Sequence, residues 1–386
     1  MLLIEFGFLG SEDPFQIEDP QKLQEISSAA DNFSFEIFKA AVEAEENRFI
    51  SPYSIHTALT MAYLGSEEET EEELGAVLGL SDYDSDKLRE DILSLKKYLE
   101  TSPGSRVSIA NAFFLREGIP FTQGFREDGE IYFDAEVAEL PETGEVINDW
   151  VYEKTEEKIE DLIDPGPIPN DVIAYLINAI YFQADWANEF NPEKTQRSQF
   201  YGPETVDVDM MEKEDDFRYL IDENLQAVTL EYEGNFLFHA IMPEEGLDSF
   251  YDDFDRQKLE EIKEGMNEGE IVLRIPKFTF EDELELKDYL EALGIRKAFN
   301  PGEARFSRMV DLERLDQNVY MSQVFHSSFI QVDEKGSEAA AATAVEMRLE
   351  SMPMAIEFNR PFIFIIEEKE TGSILFIGQL ANPADL

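Results

Sequence analysis

The chain has 386 residues and no cysteine, and its 85 Asp and Glu against 31 Lys and Arg leave a net charge of −54. Disulfide and thiolate chemistry are therefore closed to it, nucleic-acid phosphates would be repelled, and no run reaches the roughly 18 apolar residues that span a membrane. A surface this acidic repels itself in dilute buffer and is screened over about 3 Å in molar salt. The composition thus resembles that of proteins from halophilic microbes; the competing explanation is an acidic face complementary to a basic target.

In chain order, residues 1–10 are apolar but lack a basic n-region and carry Glu5, a poor signal peptide. The expected location is cytoplasmic, with secretion the alternative if this stretch is a truncated signal. Residues 1–27 are expected to form an extension and 28–386 one domain. That is long against a prior of roughly 150 residues per domain, yet the only Pro-rich interruption, Asp164-Pro-Gly-Pro-Ile-Pro-Asn170, is loop-sized. A 43% hydrophobic content with 30 Phe can fill one large α+β core. Helical periodicity dominates residues 28–100 and 145–164. Strand-like runs dominate 170–243, 270–281, 320–332 and the last 30 residues.

Hydrolase, metalloprotease and Walker-type motifs are all missing. The histidines are His56, His239 and His326. His326 lies in the apolar run Ser322-Gln-Val-Phe-His-Ser-Ser-Phe-Ile330 and is expected to be a hydrogen-bonded core residue. The Glu-rich patches at 67–73 and 366–370 are expected to be solvated faces, with metal binding the alternative. No cofactor is expected.

The run Asp333-Glu-Lys-Gly-Ser-Glu-Ala-Ala-Ala-Ala-Thr343 is the most informative stretch. With period 2, Ser337, Ala339, Ala341, Thr343, Val345, Met347 and Leu349 form an uncharged face, while Glu338, Ala340, Ala342, Ala344, Glu346, Arg348 and Glu350 form the other. That alternation suits a half-buried strand, whereas the Ala-rich composition suits a helix and Gly336 suits a hinge. An amphipathic helix or surface linker is the plain alternative to a segment with two conformations.

The run resembles the hinge and reactive-centre loop of the serpins, and further motifs follow in family order from about residue 28 to 383. Asn32, Phe33 and Ile37, then Asn47-Arg-Phe-Ile-Ser51-Pro-Tyr-Ser54-Ile55 and Ala58-Leu59 to Leu64-Gly65, are similar to the first two helices and their junction. Ala110-Asn111-Ala-Phe-Phe114 resembles a sheet strand. Ile147-Asn148 with Trp150-Val151, Thr155 and Lys158-Ile159 resembles the helix over the main sheet. Asn178-Ala-Ile-Tyr-Phe182 with Trp186 resembles a central strand, and Phe358-Asn-Arg-Pro-Phe362 with Thr371-Gly372 through Gly378 to Pro383 resembles the closing strands. The chain departs from the family where Glu68 and Glu157 replace glycines and Gln183 replaces a lysine.

The resemblance implies an α+β serpin fold with about three β-sheets, eight to nine helices and an exposed loop over about 334–357. It implies a hinge of Glu334, Gly336, Ser337, Ala339, Ala340, Ala341, Ala342 and Thr343. It implies a shutter of Ser51, Ser54, Asn178 and His326, and a breach of Trp186, Thr195, Lys277 and Glu334, with Lys277 and Glu334 paired. It also implies a monomeric, non-enzymatic suicide inhibitor of a serine or cysteine endopeptidase. Ungapped spacing puts the reactive bond between Glu350 and Ser351, implying a Glu/Asp-specific target. A shift of one or two residues gives Leu349, for subtilisin- or chymotrypsin-like targets, or Arg348, for trypsin-like ones. The rival function is a non-inhibitory binding or chaperone module, whose mark, bulky or charged inward hinge residues, is absent.

The charge balance carries a direct test. Melting temperature should rise steeply between dilute buffer and molar KCl, and a flat profile would reject the halophilic reading.

Overall fold

The computed structural model describes residues 20–312, 315, 318–336 and 354–386, with Asp385 by backbone alone. The helix α1 (Gln24–Ala41) buries Phe33, Ile37 and Phe38 on one side, as period 3.6 requires. A short strand β1 (Arg48–Ile50) leads into α2 (Pro52–Gly65), where Ser51 accepts a hydrogen bond from the Ser54 N–H and Pro52 fills the first helical position. Every residue of α2 is buried, and it packs against strands of both sheets described below. The charged helices α3 (Glu68–Leu78) and α4 (Ser85–Glu100) follow, α4 capped by the Asp84 carboxylate.

Strand β2 (Ser105–Leu115) then leads through α5 (Gln123–Asp128), β3 (Ala135–Glu139) and α6 (Gly144–Lys154) to β4 (Ala174–Ala184). The second half contributes β5 (Gln196–Tyr201), β6 (Thr205–Ile221), β7 (Leu225–Glu231), β8 (Phe236–Pro243), α7 (Leu247–Tyr251), α8 (Arg256–Gly265), β9 (Asn267–Pro276) and β10 (Phe278–Glu285). It closes with α9 (Lys287–Leu293), β11 (Gln323–Val332), β12 (Met354–Glu357), β13 (Phe362–Glu368) and β14 (Ile374–Leu380).

Among the described residues the strands form a five-stranded sheet, β10-β11-β4-β2-β3, and a nine-stranded network, β1-β14-β13-β8-β7-β6-β9-β12 with β5 on β6. The long β6 divides its pairing, with β5 and β9 along most of its length and with β7 only at its C-terminal end. The network is thus two pairing sets joined through one strand, so that the described strands form two hydrogen-bonded sheets where about three were expected.

The five-stranded sheet is buried on both faces, which explains why β4 reads as an unbroken apolar run. Leu176, Ile180 and Phe182 join the main core with α2, while Tyr175, Ile177 and Ala179 join a second core under α6.

The helical pattern expected to reach 164 stops at Lys154. Glu156 and Glu157 take φ values of 57° and 63°, left-handed backbone that cannot propagate a right-handed helix. Beyond them, residues 158–163 run across the sheet as a strap. Asn148 pins it: its Oδ1 accepts from the N–H groups of Leu162 and Ile163, and its Nδ2 donates to Ile163 O. The helical periodicity expected to dominate 28–100 is carried by α1, α2, α3 and α4, with β1 between the first two. Helices α7, α8 and α9 were not foreseen: α7 and α9 have only five and seven residues, and α8 is mostly charged and buries only Leu259 and Ile262.

Glu68 shares the anomaly, with φ 52°. At the two positions where the resemblance implied glycine, this chain holds glutamate in left-handed backbone that glycine adopts freely. Left-handed backbone costs a non-glycine residue about 1–2 kcal/mol. Glu157→Gly should therefore raise unfolding free energy by about 0.5–1 kcal/mol after its entropic cost, while Glu153→Gly, inside α6, should lower it. Urea denaturation of both variants checks the contrast; two losses would reject the strain.

Candidate functional site

The parallel seam between β11 and β4 runs from Gln323 opposite Tyr175 to Phe329 opposite Tyr181, while the outer neighbours β10 and β2 pair antiparallel to it. Parallel pairing is slightly the weaker kind, so this seam is weaker per residue than the antiparallel ladders on either side of it.

On the inner face the register aligns Asn111, Asn178 and His326 on β2, β4 and β11. The Ser51 N–H donates to His326 Nε2 at 3.1 Å, so that nitrogen is unprotonated and Nδ1 carries the hydrogen, donated to Asn178 Oδ1 at 2.6 Å. Asn178 Nδ2 donates to Ser54 Oγ at 2.6 Å and Asn111 Oδ1 at 2.8 Å. Ser51 Oγ donates to Leu375 O and accepts from the Ser54 N–H. All five side chains are fully buried, and each has a partner, as burial demands. Burial alone pushes the His326 pKa down to about 3, so the ring is neutral. The four residues expected at a shutter thus meet in one network, and Asn111 joins them. Its signal in the sequence was a lone amide between two alanines of an apolar strand.

At the far end of the seam, about 26 Å along β4 at roughly 3.3 Å per residue, a second cluster surrounds the turn that ends β11. Lys277 Nζ donates to Glu334 Oε2 at 2.6 Å and Thr195 Oγ1 to Glu334 Oε1 at 2.7 Å. Burial alone would raise the Glu334 carboxyl, but these bonds more than offset it and hold it below its usual range. Trp186 stacks on Tyr232 with ring centroids 4.2 Å apart and donates its indole N–H to Asp333 O at 2.9 Å. The N–H groups of Trp186 and Phe190 donate to the carbonyls of Lys335 and Glu334. Gly336, at φ 136°, bridges to Asp185, and a Cβ there would lie 2.6 Å from Asp185 Cα and Trp186 N. Only glycine fits this approach.

The outer face of the seam carries a feature the sequence did not disclose. Tyr175 meets Phe325 edge-on at 5.0 Å and Tyr181 meets Phe329 at 5.9 Å, each pair spanning the two strands. The Lys158 ammonium sits 5.7 Å from both rings of the second pair.

The hinge positions Ser337, Ala339, Ala340, Ala341, Ala342 and Thr343, and the bond candidates Arg348, Leu349, Glu350 and Ser351, lie outside the described residues.

The 366–370 patch requires correction, whereas the 67–73 patch is a solvent-facing one whose carboxylates are largely paired. In the 366–370 patch Glu367 and Glu368 are buried. Glu367 pairs with His239 at 3.0 Å, Lys263 at 2.8 Å and Arg256 at 3.0 Å. Burial would raise its carboxyl, but His239, Lys263 and Arg256 hold it at about 2. Glu368 accepts from the Thr371 N–H and hydroxyl, capping the turn into β14. In the 67–73 patch Glu71 binds Arg308, Glu69 binds Lys297, and Glu73 accepts the Arg296 and Lys297 N–H groups. That patch clamps α3 to the segment after α9. Among the described residues no group of three or more His, Asp or Glu is placed to hold a metal, and no helix is long and apolar enough to cross a membrane.

The family model Serpin (serine protease inhibitor) matches residues 28–383. An uncharacterized serpin-like protein of Thermococcus kodakarensis is 35% identical over 378 residues, covering 93% of this chain and 86% of that protein. Mouse antithrombin-III is 31% identical over 398 residues, covering 97% and 85%. The crystal structure of the thermophilic serpin tengpin in the native state superposes with a TM-score of 0.84 at 28% identity, covering 93% of this chain and 94% of that one.

The neutral, buried His326 predicts a pH signature. Its folded pKa lies below the unfolded value of about 6.5, so the unfolded chain binds the proton first as pH falls. The stability the ring contributes is full above about pH 6.5 and is lost downward toward pH 3. The stability advantage of the parent over His326→Gln should shrink by about 1.4 kcal/mol per pH unit between about pH 6 and 4. Parallel stability curves for parent and variant would reject the neutral assignment.

Proposed function

The chain belongs to the serpin family, whose members are typically protease inhibitors, and on that premise we propose that it is a suicide inhibitor of a serine or cysteine endopeptidase. The observation that carries the reading is the direction of the seam. A segment that leaves β11 through the turn at Gly336 and folds back runs antiparallel to β11. Because β4 is parallel to β11, it runs antiparallel to β4 as well. Inserting it exchanges one parallel ladder for two antiparallel ones, the slightly stronger kind, and fills the sheet with backbone hydrogen bonds. Strand insertion in serpins is an established case of this kind of strand addition.

The protease nucleophile attacks the carbonyl carbon of the bait residue and the amine of the next residue leaves, giving an acyl-enzyme. We assign the bond to Glu350 and Ser351, with Leu349 and Arg348 as the shifted alternatives. Cleavage frees the loop to enter between β4 and β11, carrying the protease with it. Residues 337–350 number 14 and reach about 45 Å at roughly 3.3 Å each, more than the length of β4. Their uncharged face enters the sheet without burying a charge, which favours inhibition over a passive binding role. In this reading Glu334 and Gly336 are the hinge. The Lys277, Thr195 and Trp186 contacts form the breach that first yields. The Ser51, Ser54, Asn178 and His326 network is the shutter that re-pairs behind the entering strand. The same reading takes residues 28–386 as one monomeric domain working in a salty cytoplasm.

Two substitutions test insertion. Thr343→Arg puts a guanidinium under the sheet without a partner, at a cost of several kcal/mol during insertion. It should convert the protein into a substrate of Glu-specific, subtilisin-, chymotrypsin- or trypsin-like proteases. Ala342→Arg points away and should still trap. The readout is SDS-resistant complex on a gel against cleaved product; equal trapping by both variants would overturn the insertion mechanism.

A further inference from the structure

A cavity of about 340 Å³ bordering the far end of the seam is not used by the inhibitory mechanism. It opens between residues 186–188, β6, β7 and β9. Its floor is apolar and buried: Trp186, Phe217 and Leu230. Its rim is acidic and exposed: Asp216, Glu231 and Glu268.

The charges lining it are unequally occupied. Lys213 is committed to Asp215 at 3.0 Å and to Asn188 O at 2.6 Å, and its ammonium lies over the Phe190 and Phe217 rings. Arg218 donates to Lys263 O at 2.9 Å. The carboxylates of Asp216, Glu231 and Glu268 have no ion pair among the described residues. Four carboxylates against two bases leave the lining net negative. Anionic ligands are disfavoured by that potential. A ligand with an apolar ring gains by covering the floor, and a positive group on the same ligand gains from the rim carboxylates.

We propose that this cavity is a binding site for a small organic cation with an aromatic or apolar body, the ring seated on Trp186, Phe217 and Leu230 and the ammonium turned to the rim carboxylates. The proposal is independent of the inhibitory reading. Trp186 also donates to Asp333 O, so an occupant contacts a residue that holds the turn at the end of β11.

The test uses Trp186 as its own reporter. The chain has two tryptophans. The other, Trp150, has an indole nitrogen without a hydrogen-bond partner, so the full-length Trp150→Phe variant leaves a single, site-specific fluorophore. The probes are phenethylamine and phenylacetate, which share a ring and differ in charge, used at the lowest salt that keeps the fold. Phenethylamine should change the Trp186 emission saturably, and phenylacetate should bind at least about tenfold more weakly. Adding Asp216→Asn and Glu231→Gln, both at exposed positions, should weaken phenethylamine by about fivefold or more with an unaltered circular dichroism spectrum. Absence of a saturable change, equal binding of amine and acid, or undiminished amine binding by the rim variant would each overturn the proposal.

Discussion

Everything distinctive about this molecule depends on one parallel ladder, that between β11 and β4. On the proposed mechanism, the sheet needs a seam that is weaker than its flanks yet closed in the resting state. The structure meets both demands with different chemistry on the two faces. Beneath the seam, the His326, Asn178 and Asn111 row joins the strands through side-chain hydrogen bonds anchored on the N-terminus of α2. Above it, two aromatic pairs and Lys158 lie across the join. Hydrogen bonds of this kind can re-form on a new neighbour, and edge-on rings can slide apart without leaving a buried polar group unpaired. A continuous apolar interlock would offer neither route.

Helix α6, which packs on β2 beside the seam, is part of the same arrangement. It ends at Lys154 because two glutamates adopt left-handed backbone, and the strap beyond it crosses the sheet pinned by the Asn148 amide. A longer helix would have laid a rigid rod over the strands that the proposed mechanism parts. An extended strap held by three hydrogen bonds from one side chain can be lifted and replaced with little rearrangement of its own.

Much of this was legible in the sequence, and the failures have physical causes. The Ser51-Pro52 start of α2, the apolar run of β4, and Gly336 were readable because capping, double-sided burial and close backbone approach each demand particular residue types locally. The Lys277 and Glu334 pair was legible only through family resemblance, since nothing local links residues 57 positions apart. The fate of Glu367 was not legible at all. A glutamate looks solvated until His239, Lys263 and Arg256 arrive from distant strands and helices, and burial is decided by those arrivals. The end of α6 was missed for the opposite reason: glutamate is a good helix former, and a backbone conformation foreign to it overrode the propensity. Asn111 was visible as an oddity in a hydrophobic strand, but its role depended on a register that sequence alone does not specify.

The network under the seam is assembled wholly from neutral groups, whereas the clamp at its far end is an ion pair whose lysine side chain is 36% exposed. Electrolyte screens the second and leaves the first untouched. For a chain of such extreme charge, ionic strength therefore acts on the two ends of one sheet unequally. Concentrated salt that quiets the surface also loosens the Lys277 clamp, while the histidine–asparagine row keeps its grip. On the proposed mechanism the medium thereby sets a direction, with the seam parting from the Gly336 end inward.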